Sequence, residues 1–205
     1  MRLDHVLLGI ADLEAGVRQF QELTGVEPRR GGRHPEMGTC NAVVSLGQGE
    51  YLEIIAPELG GRLVPMFESL KSIGRLTPVM WAMAVDDADE EAARLAAEGH
   101  AVVGPREGSR VQQEGGVLEW RLVTTPGRGP FAPFFIEWAP GVPHPSATAP
   151  AGCALAAMEI AHPEPASLAR LLESLGPRVR APAAQRAALS FAIDCPRGRV
   201  RFSSC

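Results

Sequence analysis

Three titratable side chains stand in predicted strands whose other residues are mostly apolar: His5 in LDHVLLGI, Glu53 in EYLEIIAP and Glu137 in PFFIEW. Because side chains alternate along a strand, each strand can pack an apolar face on a helix while its titratable residue points toward a facing sheet. A carboxylate buried among apolar residues is costly unless it is paired or bound to a metal. We therefore expect the three side chains to converge on one interior cavity, where they could transfer protons or hold a cation.

A repeated pattern of strand, turn and helix positions these residues. It occurs as LDHVLLGIADLEAGVRQFQELTG, as PVMWAMAVDDADEEAARLAAEG and as CALAAMEIAHPEPASLARLLESLG. Such spacing is typical of an internally repeated fold. The start and stop signals of the three helices are Asp12 and Gly25, Asp87 and Gly99, and Pro165 and Gly176.

The predicted fold class is α+β, built from β-α-β-β-β modules. The first module covers residues 1–57 and the second covers residues 78–138, with a connector at 58–77 that suggests a short helix. A linker rich in Pro, Ala and Gly follows at 139–152, and a third, shorter module covers 153–205. The strands of the second module are predicted at 79–85, 100–103, 116–124 and 133–138.

Composition and charge narrow the classes of partner that this chain can have. The chain has 205 residues, of which 45% are hydrophobic and 21% charged, and its net charge is −4. An acidic chain argues against nucleic-acid and anionic-membrane partners. The sequence shows no membrane span or signal peptide, and its four scattered cysteines suit free thiols. We therefore expect a cytoplasmic protein whose partner is a small molecule.

The first module begins with an x-D-H-V strand and ends with the strand YLEII. In this it looks like the vicinal oxygen chelate superfamily, which includes glyoxalase, bleomycin-resistance proteins, epimerases and extradiol dioxygenases. Within that group, GGRHPEMGTCNAVVSLGQGEYLEIIAP together with PFFIEW and HPS resembles the glyoxalase-like domain proteins. The resemblance implies that two modules face each other and curl their sheets around one cavity.

The resemblance also implies a divalent metal, such as Fe, Mn, Ni or Zn, held by the first and last strands of each module. His5, Glu53 and Glu137 match three ligand positions, and Glu137 would serve as general base as well. The fourth position falls at Met80 and Trp81, and neither suits such a cation. Without a metal, His5 would hydrogen-bond a carboxylate, and the two glutamates would anchor a neutral ligand or an arginine.

Further candidates lie around this set. His34, in the turn GGRHPEMGT, could replace the missing ligand or relay a proton, although the sequence alone favours a surface turn histidine that hydrogen-bonds its own backbone. Thr39 and Asn41 could orient a substrate oxygen or serve only hairpin hydrogen bonds. His144 could fold over the cavity mouth or stay solvated in the linker.

Arg110 and Trp120 on the second-module hairpin could clamp a carboxylate-bearing or flat ligand, or they could be rim packing. Trp81 could be a stacking wall of the cavity. Tyr51 and Phe135 share their strand faces with Glu53 and Glu137 and complete the predicted substrate-binding set.

Two functions remain open. The first is a metal-dependent enzyme of the glyoxalase type, which would be an isomerase, lyase or dioxygenase acting on a small oxygenated molecule. The second is a metal-free protein that binds an apolar or aromatic small molecule, as in the bleomycin-resistance branch. The third module must pack on the first two or against its copy in a homodimer, because its sheet has no internal partner.

Overall fold

The computed structural model describes residues 1–112, 116–126, 132–141, 143–166, 168, 172, 175 and 177–204. The first module consists of strand β1 Arg2–Gly9, helix α1 Leu13–Thr24, and strands β2 Arg29–His34, β3 Thr39–Gly47 and β4 Glu50–Pro57. After a 3-10 helix, Pro65–Ser72, the second module consists of β5 Thr77–Ala84, α2 Ala88–Ala97, β6 Val103–Gln112, β7 Val117–Thr124 and β8 Phe134–Trp138. The remaining elements are α3 Pro145–Thr148, β9 Ala154–Ala161, β10 Val179–Arg180, β11 Ala188–Cys195 and β12 Gly198–Ser203.

The first eight strands form a closed barrel in the order β1-β4-β3-β2-β6-β7-β8-β5, so the predicted α+β class and the curled-sheet cavity are confirmed. One strand of the second module differs from the prediction at 100–103. β6 begins only at Val103 and runs to Gln112, through a polar stretch with no apolar alternation. Pairing with β7 along nearly its whole length holds this stretch extended, which shows that tertiary contacts override weak strand propensity.

Local signals define the two long helices. The Asp12 side chain accepts a hydrogen bond from Ala15 N at 2.7 Å, and Gly25 ends α1 in the left-handed conformation with φ 80°. Asp87 caps α2 in the same way. No helix in the described part of the chain is long and apolar enough to cross a bilayer.

The barrel sheet has two apolar faces. The outer face packs on α1, α2 and the third module, and Val6, Leu8 and Ile54 belong to that large core. The inner face includes Leu7 and Ile55 and forms a second, smaller core under the 3-10 helix. Because neighbouring residues of β1 and β4 belong to different cores, the strand alternation decides which side chains reach the barrel interior.

The third module is a four-stranded sheet in the order β10-β9-β11-β12 that packs on the outside of the barrel. Phe202 stacks on Phe20 of α1, with ring centroids 6.2 Å apart. The barrel covers one face of this sheet, so the sheet does not need a second copy of the chain to bury its apolar residues. The homodimer therefore stays a prediction. Most of the predicted helix between Pro165 and Gly176 lies outside the described residues.

Two cysteines of the third module lie side by side. The Sγ atoms of Cys153 and Cys195 are 3.5 Å apart, and both residues are free thiols, as is Cys40. Burial, together with the contact to Cys195, raises the pKa of Cys153 to about 12. These three thiols are therefore protonated at neutral pH, and Cys205 lies outside the described residues.

An ion pair joins the third module to the barrel. Arg178 donates two hydrogen bonds to the buried carboxylate of Glu50. Replacing Arg178 by Ala leaves this carboxylate without its cation, and we expect the free energy of unfolding to fall by about 2 kcal/mol, as measured with urea.

The matched control is Arg199→Ala. Arg199 forms an equally bidentate pair with Asp194, but both side chains are more than half exposed to solvent. We expect its loss to change the unfolding free energy by less than about 0.5 kcal/mol. Equal effects of the two substitutions would show that the Glu50 pair does not stabilise the junction.

Candidate functional site

His5 lies at the centre of the barrel interior. Its ring stacks on Tyr51 with centroids 4.4 Å apart and meets the edge of Phe134 at 5.4 Å. Its Nδ1 atom is 2.6 Å from Asp4 Oδ1, and its Nε2 atom is 3.6 Å from Glu53 Oε2. The aromatic rings therefore fix the plane of the imidazole, and the two carboxylates face its two nitrogens.

Asp4 is fully buried and contacts three other side chains at this end of the barrel. Besides its contact with His5, its Oδ2 atom accepts a hydrogen bond from Trp138 Nε1 and contacts His144 Nε2, each at 3.1 Å. Burial alone would raise the pKa of Asp4, but the hydrogen bonds from His144 and His5 outweigh it and hold the pKa well below its ordinary value. The carboxylate is thus ionised, and His5 carries a proton on Nδ1.

The sequence prediction missed Asp4 and Trp138. Strict alternation would place Asp4 on the face opposite His5. A register shift between Leu3 and His5 in the pairing with β5 lets both residues reach the same cavity. The adjacent Asp-His pair in LDHVLL was the signal available in the sequence.

Glu53 faces His5 from the neighbouring strand β4. Its Oε1 atom accepts a hydrogen bond from Asn41 Nδ2 at 2.9 Å, while Oε2 is the oxygen that faces the imidazole. The side chain is 8% exposed. One oxygen is therefore anchored, and the other is directed at the cavity.

His34 and Thr39 also lie inside, so the expectation of a surface turn histidine is corrected. His34 Nδ1 is 2.9 Å from Thr39 Oγ1, and its ring meets the edge of Trp120 with centroids 5.8 Å apart. Burial is the main cause that lowers the pKa of His34, which makes the ring neutral at pH 7. A neutral ring can accept or donate a proton at its second nitrogen.

His144 covers one end of the barrel. The segment after β8 crosses the strand ends, where Ser45 N donates to Pro150 O at 2.9 Å and Arg29 donates to Thr148 at 2.8 Å. The His144 ring meets Tyr51 and Trp138 edge-on, with centroids 5.5 and 5.4 Å away. The expectation of a solvated linker residue is therefore corrected in favour of a lid over the cavity.

Glu137 does not join the site, and its predicted convergence with His5 and Glu53 is wrong. On β8 the residues facing inward are Phe134, Ile136 and Trp138. Glu137 faces outward, where its Oε2 atom accepts hydrogen bonds from Ala88 N at 2.9 Å and Arg121 Nη1 at 3.2 Å. The first amides of α2 lack partners within the helix, and they stabilise this carboxylate outside the barrel.

Trp81 and Phe135 are corrected for the same reason. Both are fully buried, but they belong to the large core on the outer face of the barrel. Trp81 is paired with Val6, whose side chain faces that outer core too. Neither aromatic ring can be a wall of the cavity, and this role falls instead to Trp120 and Trp138, whose centroids are 5.5 Å apart.

Comparison with known proteins agrees with this geometry. The model of the family described as "Glyoxalase-like domain" matches residues 3–176. The chain belongs to the glyoxalase-like domain family. It is thereby a member of the vicinal oxygen chelate superfamily, a group of small-molecule enzymes and binding proteins. No curated protein matches the sequence.

Solved structures share the fold of this glyoxalase-like protein. A hypothetical protein from Staphylococcus aureus is 14% identical with a TM-score of 0.64, and the match covers 98% of this chain and 84% of that one. Methylmalonyl-CoA epimerase from Mycobacterium tuberculosis is 20% identical with a TM-score of 0.52, over 67% and 88% of the two chains. A variant of the Streptomyces coelicolor epimerase in complex with 2-nitronate-propionyl-CoA is 19% identical with a TM-score of 0.51, over 68% and 98%.

The two modules of this glyoxalase-like protein repeat the same order of elements, and the same backbone hydrogen bond joins the first strand of each to its last strand. These bonds are Ile10 N to Ile55 O in the first module and Val85 N to Ile136 O in the second. Counted back from them, Met80 stands in the place of His5, and Phe134 stands in the place of Glu53. Both side chains belong to the inner core, so the second module offers a thioether and a phenyl ring where the first offers an imidazole and a carboxylate.

The residues present do not fit the metal set that the superfamily resemblance implies. His5 Nε2 and Glu53 Oε2 remain, but Met80 offers only a thioether, which suits soft metals, and Phe134 offers no lone pair. Within the described ranges, no group of three or more His, Cys, Asp or Glu side chains is placed to hold a metal ion. The chemistry available at this site is therefore that of an oriented imidazole beside a carboxylate.

Proposed function

We propose that this glyoxalase-like protein is an isomerase or lyase that moves a proton within a small oxygenated molecule, with His5 and Glu53 as its acid–base pair. The observation that carries the proposal is the 3.6 Å separation between His5 Nε2 and Glu53 Oε2 inside a buried cavity. Both atoms are held by other side chains, and both are directed at the same space. Positioned acid–base pairs of this kind accelerate proton transfer.

The proposed cycle needs only these side chains. Glu53 Oε2 removes a proton from the carbon next to a substrate carbonyl, and Asn41 holds the other oxygen in place. Imidazolium His5 then delivers a proton from Nε2 to the neighbouring atom of the substrate. The protonated Glu53 returns its proton to His5 across the short gap, which restores both groups. Asp4 is a positioning residue that stabilises the imidazolium form.

Proton exchange with solvent tests the proposal. The protein is incubated in D₂O with 2-oxo and 2-hydroxy carboxylic acids and with a methylmalonyl thioester, because the epimerase neighbours act on such an ester by name. We expect loss of the α-proton signal of at least one class in ¹H NMR. Absence of exchange in every class, with a correctly folded protein, would contradict the proposed function.

A metal-free binding protein is the second candidate, and the aromatic lining favours it. Rings of Tyr51, Phe134, Trp120 and Trp138 surround the cavity, and such rings hold flat ligands well. Quenching of tryptophan fluorescence by aromatic ligands, without exchange or turnover, would favour this function over the enzyme.

A further inference from the structure

Arg110 carries a charge inside the barrel that has no acidic partner among the described residues. The side chain is 4% exposed, and its Nε atom forms no hydrogen bond. None of the ion pairs within the described ranges involves its guanidinium. A buried arginine is strongly unfavourable unless an anion is provided, because a guanidinium cannot lose its proton in a protein.

Asn41 presents a second unpaired atom at the same place. Its Nδ2 atom donates to Glu53, so its Oδ1 atom must face the other way, and that oxygen is buried without a hydrogen-bond partner. Carboxylate Glu53 accepts only, and this fixes the orientation of the amide. A buried carbonyl oxygen without a donor points to a donor that arrives with a ligand.

Gly31 shows how close the two groups are. A Cβ atom placed on Gly31 would lie 2.3 Å from Asn41 Oδ1 and 2.7 Å from Arg110 Nη1. The oxygen and the guanidinium therefore both lie against the backbone of Gly31 and close to each other, and only a residue without a side chain leaves room for both. His34 lies close enough for both Arg110 and Glu53 to affect its pKa, so these groups adjoin the acid–base pair.

We propose that Arg110 and Asn41 form a subsite for a 2-hydroxy carboxylate, or for the enol form of a 2-oxo carboxylate. The carboxylate accepts hydrogen bonds from Arg110, and the hydroxyl of the ligand donates to Asn41 Oδ1. Arginine suits this role because its planar fork matches the two oxygens of a carboxylate. The inference rests on the proposed function, since it names the substrate class of the same cavity, but it is a statement about binding and does not require turnover.

Thermal shift and calorimetry with lactate, propionate and inorganic phosphate test the subsite. We expect lactate to raise Tm and to bind more tightly than propionate, which lacks the hydroxyl group. Arg110→Met should weaken lactate binding by about 30-fold or more. Without ligand, the same variant should raise Tm by on the order of 5 °C, because an unpaired buried charge has been replaced by an apolar side chain.

The matched control is Arg106→Met, because Arg106 lies on the same strand but is exposed to solvent. It should change neither Tm nor lactate binding. Gly31→Ala places a methyl group against Asn41 Oδ1 and Arg110 Nη1. It displaces both groups and should also abolish binding, which covers the case of an unstable Arg110 variant. Retained lactate binding in both Arg110→Met and Gly31→Ala would overturn the subsite, as would equal responses to phosphate and lactate or no response to any probe. None of these outcomes depends on proton exchange, so they are separable from failure of the proposed function.

Discussion

For the compound that loses its α-proton signal in D₂O, the exchange rate is expected to fall by about 10²- to 10⁴-fold when Glu53 is replaced by Gln. The glutamine side chain keeps the size of the glutamate, and its carbonyl oxygen can still accept the hydrogen bond from Asn41 Nδ2. It cannot take up a proton, however, so the group facing His5 is no longer a base. The measurement is the initial rate of α-proton loss in D₂O at saturating substrate.

Glu137→Gln is the control for this variant. Glu137 is also a carboxylate next to an aromatic residue on a barrel strand, but it faces the N-terminus of α2 and Arg121. We expect its substitution to leave the exchange rate within about two-fold of wild type, because it does not contact the cavity. If the Glu137 variant lost exchange and the Glu53 variant retained it, the assignment of the acid–base pair would be wrong.

Asp4→Asn is expected to lower the free energy of unfolding by about 3 kcal/mol at neutral pH. Asp4 is fully buried and accepts from His5, Trp138 and His144. The asparagine replaces one acceptor oxygen by a donor, which leaves at least one buried group facing another donor. The exchange rate should fall as well, since His5 loses the carboxylate that orients it.

The effect of this substitution should depend on pH in a defined direction. The pKa of Asp4 is lower in the folded protein than its ordinary value of about 3.9, so its contribution is present above about pH 4 and is lost as the pH falls further. Urea unfolding at pH 6 and at pH 3 should therefore show a larger difference between wild type and variant at pH 6.

Asp12→Asn provides the control for the stability measurement. Asp12 caps α1 at the surface, and asparagine caps a helix about as well as aspartate. We expect a change below about 0.5 kcal/mol at both pH values. Two results would contradict the role of Asp4 as an ionised acceptor for His5, Trp138 and His144. One is an equally small effect of Asp4→Asn, and the other is a larger difference in unfolding free energy between wild type and variant at pH 3 than at pH 6.

Much of the first module could be read from its residues. The caps Asp12 and Gly25 delimit α1 as predicted, and the alternation in β1 and β4 placed His5 and Glu53 on the inner face. These signals are local, because capping and alternation depend only on neighbours along the chain. The inner face of β1 was decidable because the residues that follow His5 on the other face, Val6, Leu8 and Ile10, are all apolar.

β8 shows where local reasoning fails. Both faces of FFIEW contain an aromatic residue, so the single carboxylate could not decide which side faces the cavity. The decision came from the pairing of β8 with β5, which places Phe134 beside Ala82, and from the first amide of α2, which donates to Glu137 outside the barrel. Both partners are distant in sequence, and no pattern within the strand encodes them.

The sequence by itself determined the α+β class, the limits of α1 and the first-module pair of imidazole and carboxylate, since each follows from patterns within a few residues. Only the tertiary structure decided that Asp4 reaches the cavity, that Phe134 and not Glu137 stands in the last ligand position, and that Arg110 and Asn41 meet beside Gly31. The physical reason is that strand register and barrel closure are set by pairings between distant segments, and a shift of one residue exchanges the inner and outer faces of a strand.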